Sequence, residues 1–188
     1  MFPRKLMKES DKKKILKHFL KLNTKDRYLR FGFHATDEII EKYLDRAFDG
    51  YGIDNMWFIS LDLDKVVGTV HVALLKDRAE LGFTVSEDYR GRGLGQDLFL
   101  RGATWAMLKG RKIIYTQCLS ENDVMQHIAK KNGMTIVTID AGEKEATLKA
   151  TKGVMESYFQ DAIFDNIALV DATINTQHVM FATLTGIK

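Results

Sequence analysis

Between Arg90 and Gly95 the chain reads Arg-Gly-Arg-Gly-Leu-Gly, a run whose residue types can hold an anion. Glycines leave the backbone N–H groups around them unobstructed by Cβ atoms. On the N-terminal side, Leu81, Phe83 and Val85 alternate with Glu80, Gly82, Thr84 and Ser86, the period of a half-buried strand. On the C-terminal side, Leu94, Leu98, Ala103, Trp105 and Leu108 supply the packing side of a helix of about four turns. A strand, a glycine-rich turn and a helix in that order point amides at the positive end of a helix dipole, where a phosphate or pyrophosphate is the expected ligand. The spacing decides which one. A dinucleotide fingerprint fails, because its third glycine would fall on Gln96 or Leu98. A Walker A loop fails too, since Gly-Lys-Ser and Gly-Lys-Thr do not occur.

What remains is Arg90-x-x-Gly93-x-Gly95, which resembles the R/Q-x-x-G-x-G/A signature of the GNAT superfamily of acyl-CoA-dependent N-acetyltransferases. Downstream, Lys112–Cys118 reads as a strand and Asn122–Met134 as a helix ended by glycine, which is similar to the second GNAT signature; Gly133-Met134 stands where that signature has Gly-Phe. Asp26-Arg27-Tyr28-Leu29-Arg30-Phe31 and the Ala79-Glu80 strand start resemble the GNAT domain of bacterial protein-lysine acetyltransferases, often fused to an acyl-CoA-synthetase-like half. The resemblance spans roughly residues 4 to 150.

The resemblance implies an α/β (α+β) GNAT fold with a mixed, mostly antiparallel sheet and helices on both faces. It implies acetyl-CoA as cosubstrate and a primary amine as acceptor. Arg90, Gly91, Arg92, Gly93, Leu94 and Gly95 would cradle the pyrophosphate. The backbone of Phe83, Thr84 and Val85 would pair with the pantetheine arm as an added strand does, and Asn122 would bond the same arm or cap its own helix. Glu80 matches the glutamate that serves as general base, with His71 as second choice. Many GNAT enzymes protonate the departing thiolate with a tyrosine; the matching position here is Ala129. A protein lysine is the favoured acceptor. A small amine, or a non-catalytic module that senses acyl-CoA, stays open beside it.

Other positions carry less chemistry. His18, His34, His71, His127 and His178 are scattered and Cys118 is the single cysteine, so neither a metal set nor a disulfide framework is expected. Cys118 reads as a small buried strand residue. No apolar run approaches the roughly 18 residues of a membrane span, and the start lacks the apolar segment of a signal peptide. A cytoplasmic protein without membrane association is expected.

These groups need a scaffold, and 188 residues suffice for a sizeable core. Residues 1–30 hold eleven Lys or Arg against Glu9, Asp11 and Asp26. Ser10 reads as the cap of a helix to about Leu22, with its lysines solvated rather than bound to nucleic acid. Thr24 and Thr36 read as further caps, and loops around Tyr28–His34 and Tyr51–Asn55 as walls of the acceptor pocket. Asn55–Leu61, Val66–Leu75 and the Glu80 strand form a meander, and Thr135–Ile139 with Glu145–Thr151 a last hairpin. The GNAT domain is expected over residues 1–153. In the 154–188 extension, Phe159, Ile163, Ile167, Val170 and Ile174 share one helical stripe and His178–Leu184 suits a short strand. This extension covers its own domain or builds a homodimer.

Overall fold

A computed structural model describes residues 4–5, 9–49, 52–140 and 142–160. The chain divides into two compact units, residues 1–151 and 152–188. In the second, residues 152–160 are helical; Ile163–Ile174 of the apolar stripe and the His178–Leu184 strand lie outside the described residues.

The first unit is a seven-stranded sheet with helices packed on it. Strands β1 (Arg4–Lys5), β2 (Asn55–Asp62), β3 (Lys65–Leu74), β4 (Arg78–Val85), β5 (Ile113–Leu119), β6 (Thr135–Asp140) and β7 (Glu143–Lys149) lie in the order β1-β2-β3-β4-β5-β7-β6. Every pairing is antiparallel except β4 with β5. That parallel pair holds at only three positions, Arg78↔Ile113, Ala79↔Ile114 and Glu80↔Tyr115, after which the strands part. The connection between them is helix α4 (Leu94–Leu108), as a parallel crossover requires.

Helices α1 (Glu9–Leu20), α2 (Thr24–Phe31) and α3 (Asp37–Phe48) precede the meander. Ser10 lies inside α1 rather than capping it, and α2 is capped by Asn23, not Thr24: Asn23 Oδ1 accepts from the Asp26 amide at 2.8 Å. Thr36 caps α3 as expected, accepting from the Ile39 amide. Arg27 ties the three together, donating to the Leu20 and Leu22 carbonyls at the end of α1, to the Ala35 carbonyl, and to Asp37 at the start of α3.

Alternation along the strands divides the core. Ile15, Phe19, Ile40, Leu44, Trp57 and Ile59 fill the side of α1 and α3. On the opposite face, Leu98, Phe99, Ala103 and Ala106 of α4 are fully buried, with Val70, Val72 and Leu81 of the sheet. The approach of α4 is close at Gly102, where a Cβ would lie 3.1–3.3 Å from Leu81, Val72 and Val70. In register across the sheet stand Trp57, His71 and Gly82, so Glu80, Gly82 and Thr84 share the face of Trp57 and His71.

Candidate active site

The cradle has the geometry of an open helix end. Gly91 (φ 71°) and Gly93 (φ 81°) take the left-handed conformation that glycine adopts at little cost. Gly93 occupies the N-cap of α4 and brings no side chain to it. The first intrahelical bond runs from the Asp97 amide to the Gly93 carbonyl at 3.1 Å. Hence the amides of Gly91 through Gln96 have no protein acceptor among the described residues, and they gather where the helix dipole is positive. Such a set fits a pyrophosphate. Gly95 has a second duty: a Cβ there would stand 2.8 Å from Ile128 Cδ1 of α5 (Asp123–Lys131). Its lack of a side chain lets the two helices meet.

The two arginines of the run differ. Arg92 is exposed, its guanidinium 5.3 Å from the Tyr89 ring centroid, and stays available to an anion. Arg90 turns back: Nε and Nη2 both donate to the Val85 carbonyl at 3.2 Å, and Nη2 pairs with Asp26 at 2.6 Å. Its amide donates to the Glu87 carbonyl. Arg90 therefore splints the strand–turn junction, and the Val85 carbonyl is already occupied.

Below the cradle β4 and β5 separate into a cleft of about 200 Å³. Its walls include Leu29–Gly32 at the end of α2, Glu80–Phe83 of β4, Thr116–Leu119 of β5, and Asn122, Met125 and Glu143. The wall expected as a loop at Tyr28 is thus the last turn of a helix, closed by Gly32 at φ 79°. Phe83 stacks on Phe99 at 6.2 Å on the α4 side. Thr84 is buried on the other side, its hydroxyl bonded to Thr69 Oγ1 at 2.6 Å and His18 Nε2 at 2.8 Å. Asn122 caps α5, accepting from the Met125 amide at 3.1 Å. Ala129 is 1% exposed and carries no donor.

Glu80 stands at the apex of the fork, where Tyr115 donates to its Oε2 at 3.1 Å. The Tyr115 hydroxyl is pushed up to about 12, first by burial and then by the negative charge of Glu80. Arg78 lies over the Tyr115 ring at 3.7 Å and pairs with Glu145 at 3.0 Å. The apex is therefore braced from both strands.

His71, the second candidate base, is spoken for. Arg30 Nη2 donates to the Tyr43 hydroxyl. Arginine has no acceptor, so Tyr43 must pass its own proton on, to His71 Nδ1 at 3.0 Å. The other ring nitrogen, Nε2, then donates to Asn55 Oδ1 at 2.9 Å, and Asn55 donates to the Asp49 carbonyl at 3.0 Å. Burial holds His71 down at about 3, with the Arg30 charge adding to the effect. Trp57 stacks on the ring at 4.5 Å. A neutral imidazole with both nitrogens engaged is a structural part of the sheet. Cys118 lines the cleft with its thiol raised by burial, and no base hydrogen-bonds it among the described residues.

Tyr115 and Gly82 escaped the sequence as parts of the site, and Arg30 was read only as one residue of the Tyr28–His34 wall. Tyr115 becomes visible only through the parallel register with Glu80, which no local pattern encodes. Arg30 folds over Gly82, where a Cβ would come within 2.4 Å of its Nη2. A glycine inside a strand, with an arginine ending the preceding helix, was the available signal.

A strand that parts from its parallel neighbour beside an uncapped glycine-rich helix start defines a GNAT-type acyltransferase. Residues 4–135 match the family model described as Acetyltransferase (GNAT) domain. The chain belongs to the GNAT acetyltransferase family and is an acyl-CoA-dependent N-acetyltransferase whose cosubstrate is acetyl-CoA. No curated protein matches it. Among solved structures it is similar to the GNAT domain of S. lividans PAT, with 17% identity, TM-score 0.66, and coverage of 78% of this chain and 89% of that one. Spermidine N-acetyltransferase from Vibrio cholerae in complex with CoA and spermine gives 17% identity and TM-score 0.63, covering 84% and 96%. PaiA N-acetyltransferase from Thermoplasma acidophilum in complex with coenzyme A gives 14% and 0.60, covering 79% and 99%. No helix among the described residues is long and apolar enough to cross a membrane.

Proposed function

We propose that the protein transfers acetyl directly from acetyl-CoA to the ε-amine of a protein lysine, with Glu80 as general base. The observation that carries this reading is the position of Glu80: a carboxylate at the apex of the cleft, fixed by Tyr115 on one oxygen. Its other oxygen, Oε1, has no protein partner among the described residues and is the atom that takes the ammonium proton. The amine nitrogen then bonds to the acetyl carbon, the carbon–sulfur bond breaks, sulfur leaves as thiolate, and the surplus proton on nitrogen passes to the thiolate or to solvent.

The amides from Gly91 to Gln96, in the turn and at the start of α4, hold the pyrophosphate, with the Arg92 side chain beside them. Amides and carbonyls of β4 around Phe83 and Thr84, freed where β5 departs, orient the arm of the cosubstrate and polarise its carbonyl. Arg90 and Asn122 act through the backbone they brace. Ala129 gives no acid, and none is needed near neutral pH, because a thiol of pKa about 8.5 yields a passable leaving group. The raised Cys118 thiol and its lack of a base favour direct transfer over an acyl-enzyme.

A small amine uses the same machinery. The test is a panel of lysine peptides and small amines with acetyl-CoA, following thiol release in wild type and Glu80→Gln. Turnover of peptides that Glu80→Gln abolishes supports the reading; turnover of small amines alone replaces the acceptor; wild-type rates in Glu80→Gln remove the base.

A further inference from the structure

An enzyme that acts on amines meets its acceptor as a cation, yet one wall of this cleft is a guanidinium. Arg30 has no ion pair among the described residues, in contrast to Arg27, Arg78 and Arg90. Its Nη2 is spent on a neutral phenol, and its Nε is buried with no hydrogen-bond partner. The group lies among aromatic rings, 5.2 Å from the Phe31 centroid and 5.1 Å from that of Tyr43. Gly82 makes the room: its missing Cβ would overlap Nη2 at 2.4 Å and Cζ at 2.7 Å.

The placement relative to the base is fixed by the strand. Glu80 and Gly82 are two residues apart on the same face, a separation of roughly 6–7 Å. Arg30, over Gly82, therefore sits one side-chain position beyond the proton acceptor. Glu143, the other carboxylate of the cleft, is exposed. A planar fork with unspent donors is suited to a carboxylate, and its charge opposes a second cation beside the reactive amine.

We infer that Arg30 is a specificity-determining residue that selects acceptors carrying a carboxylate close to the reactive amine and rejects polycations. The inference rests on reading the cleft as the acceptor channel with Glu80 as base, and it narrows the acceptor within that reading. The carboxylate has two sources: an Asp or Glu side chain flanking the target lysine, or the acceptor's own carboxyl group.

The experiment measures kcat/KM in wild type and Arg30→Gln for two matched series. One compares a lysine peptide flanked by Asp or Glu with its Asn or Gln counterpart. The other compares L-alanine with L-alaninamide, and spermidine is run beside both. Dividing each carboxylate-to-amide ratio in wild type by that in Arg30→Gln cancels the intrinsic basicity of the amines. The expected quotient is about ten or more in at least one series, the size of one well-formed charged pair, and spermidine should improve in the variant. The series showing the effect identifies the source.

Arg30→Gln also loses the bond to Tyr43, so Gly82→Ala provides a second route. Its methyl displaces the guanidinium while leaving the arginine and strand in place, and it should lower the wild-type ratio in the same direction. A quotient near one in both series overturns the inference, as does an unchanged ratio in Gly82→Ala or turnover of neither series. Glu80→Gln, assayed in parallel, separates the levels. Lost turnover with flat quotients removes the role of Arg30 alone. Wild-type turnover removes the base whatever the quotients show.

Discussion

The Tyr115 hydroxyl donates to Glu80 Oε2 at 3.1 Å, and the same two residues form the last parallel pair before β4 and β5 diverge. The brace and the branch point of the sheet coincide. Tyr115→Phe removes only the hydroxyl, so the fold should lose no more than roughly 1.5–3 kcal/mol, the worth of one hydrogen bond to a charged group. If Glu80 is the base, kcat should fall about tenfold, because a hydrogen bond to a charged group is worth roughly 1.5–3 kcal/mol. Calorimetry should find acetyl-CoA affinity unchanged. A kcat equal to wild type would show that Glu80 needs no orientation from β5.

Glu80→Gln keeps shape but takes no proton. Turnover should drop on the order of 10²–10⁴-fold, with acetyl-CoA binding held within a few-fold. Single-turnover acetylation across a pH series is the check: wild type should show a rising limb that the variant lacks.

The cradle is best probed at Gly93. A carboxylate there faces the anion site, and φ 81° adds roughly 1–2 kcal/mol of backbone strain for a non-glycine residue. Gly93→Asp should melt a few degrees lower, yet stay folded, and lose acetyl-CoA binding on the order of a hundredfold. Gly93→Asn carries the same strain without the charge and should bind much better; equal affinities for the two would argue against an anion at that helix end. Gly95→Asp is a poorer probe than the motif alone implies, since its side chain would collide with Ile128.

How legible all this was in the sequence varies with distance along the chain. The cradle, the meander and the capped helices follow from local spacing, so the Arg90–Gly95 run and the Thr36 cap could be read directly. Asn23 was displaced by Thr24 because either residue type caps a helix, and only the chain's entry angle decides. Tyr115 and the place of Arg30 over Gly82 were hidden because each depends on a partner 35 or more residues away in the chain. Arg90 carried the family motif, but the motif does not reveal Asp26 waiting for its side chain.

Two buried histidines make folding pH-dependent. Burial lowers His71 to about 3 and His18 to about 4 from 6.5. The unfolded chain binds protons at these sites below pH 6.5 while the folded chain does not, so their contribution is full above that pH and lost as acid is added. The slope is about 1.4 kcal/mol per pH unit for each group. Urea unfolding at pH 7 and pH 5 should show the loss, and His18→Gln or His71→Gln should flatten it. A wild-type stability that does not fall between these pH values would contradict the burial of both rings.

Among the described residues, the strands of the sheet and the walls of the cleft all fall within residues 1–151. A chain ended at Thr151 should therefore bind acetyl-CoA within a few-fold of the full protein. Light scattering on both settles the extension's role: a full-length monomer at high concentration would dismiss a dimer built by residues 154–188.

Beyond Glu80 the facing edges of β4 and β5 are free of each other, although each strand stays laddered to its outer neighbour, β3 or β7. Substitutions along Gly82–Phe83 or Gln117–Leu119 can thus reshape the gap without costing a single ladder bond. Latitude for change in the backbone pairing thus lies along the gap, and rigidity at the Glu80–Tyr115 pair. A single change at this branch can therefore alter the shape of the gap while the ladders of both strands stay whole.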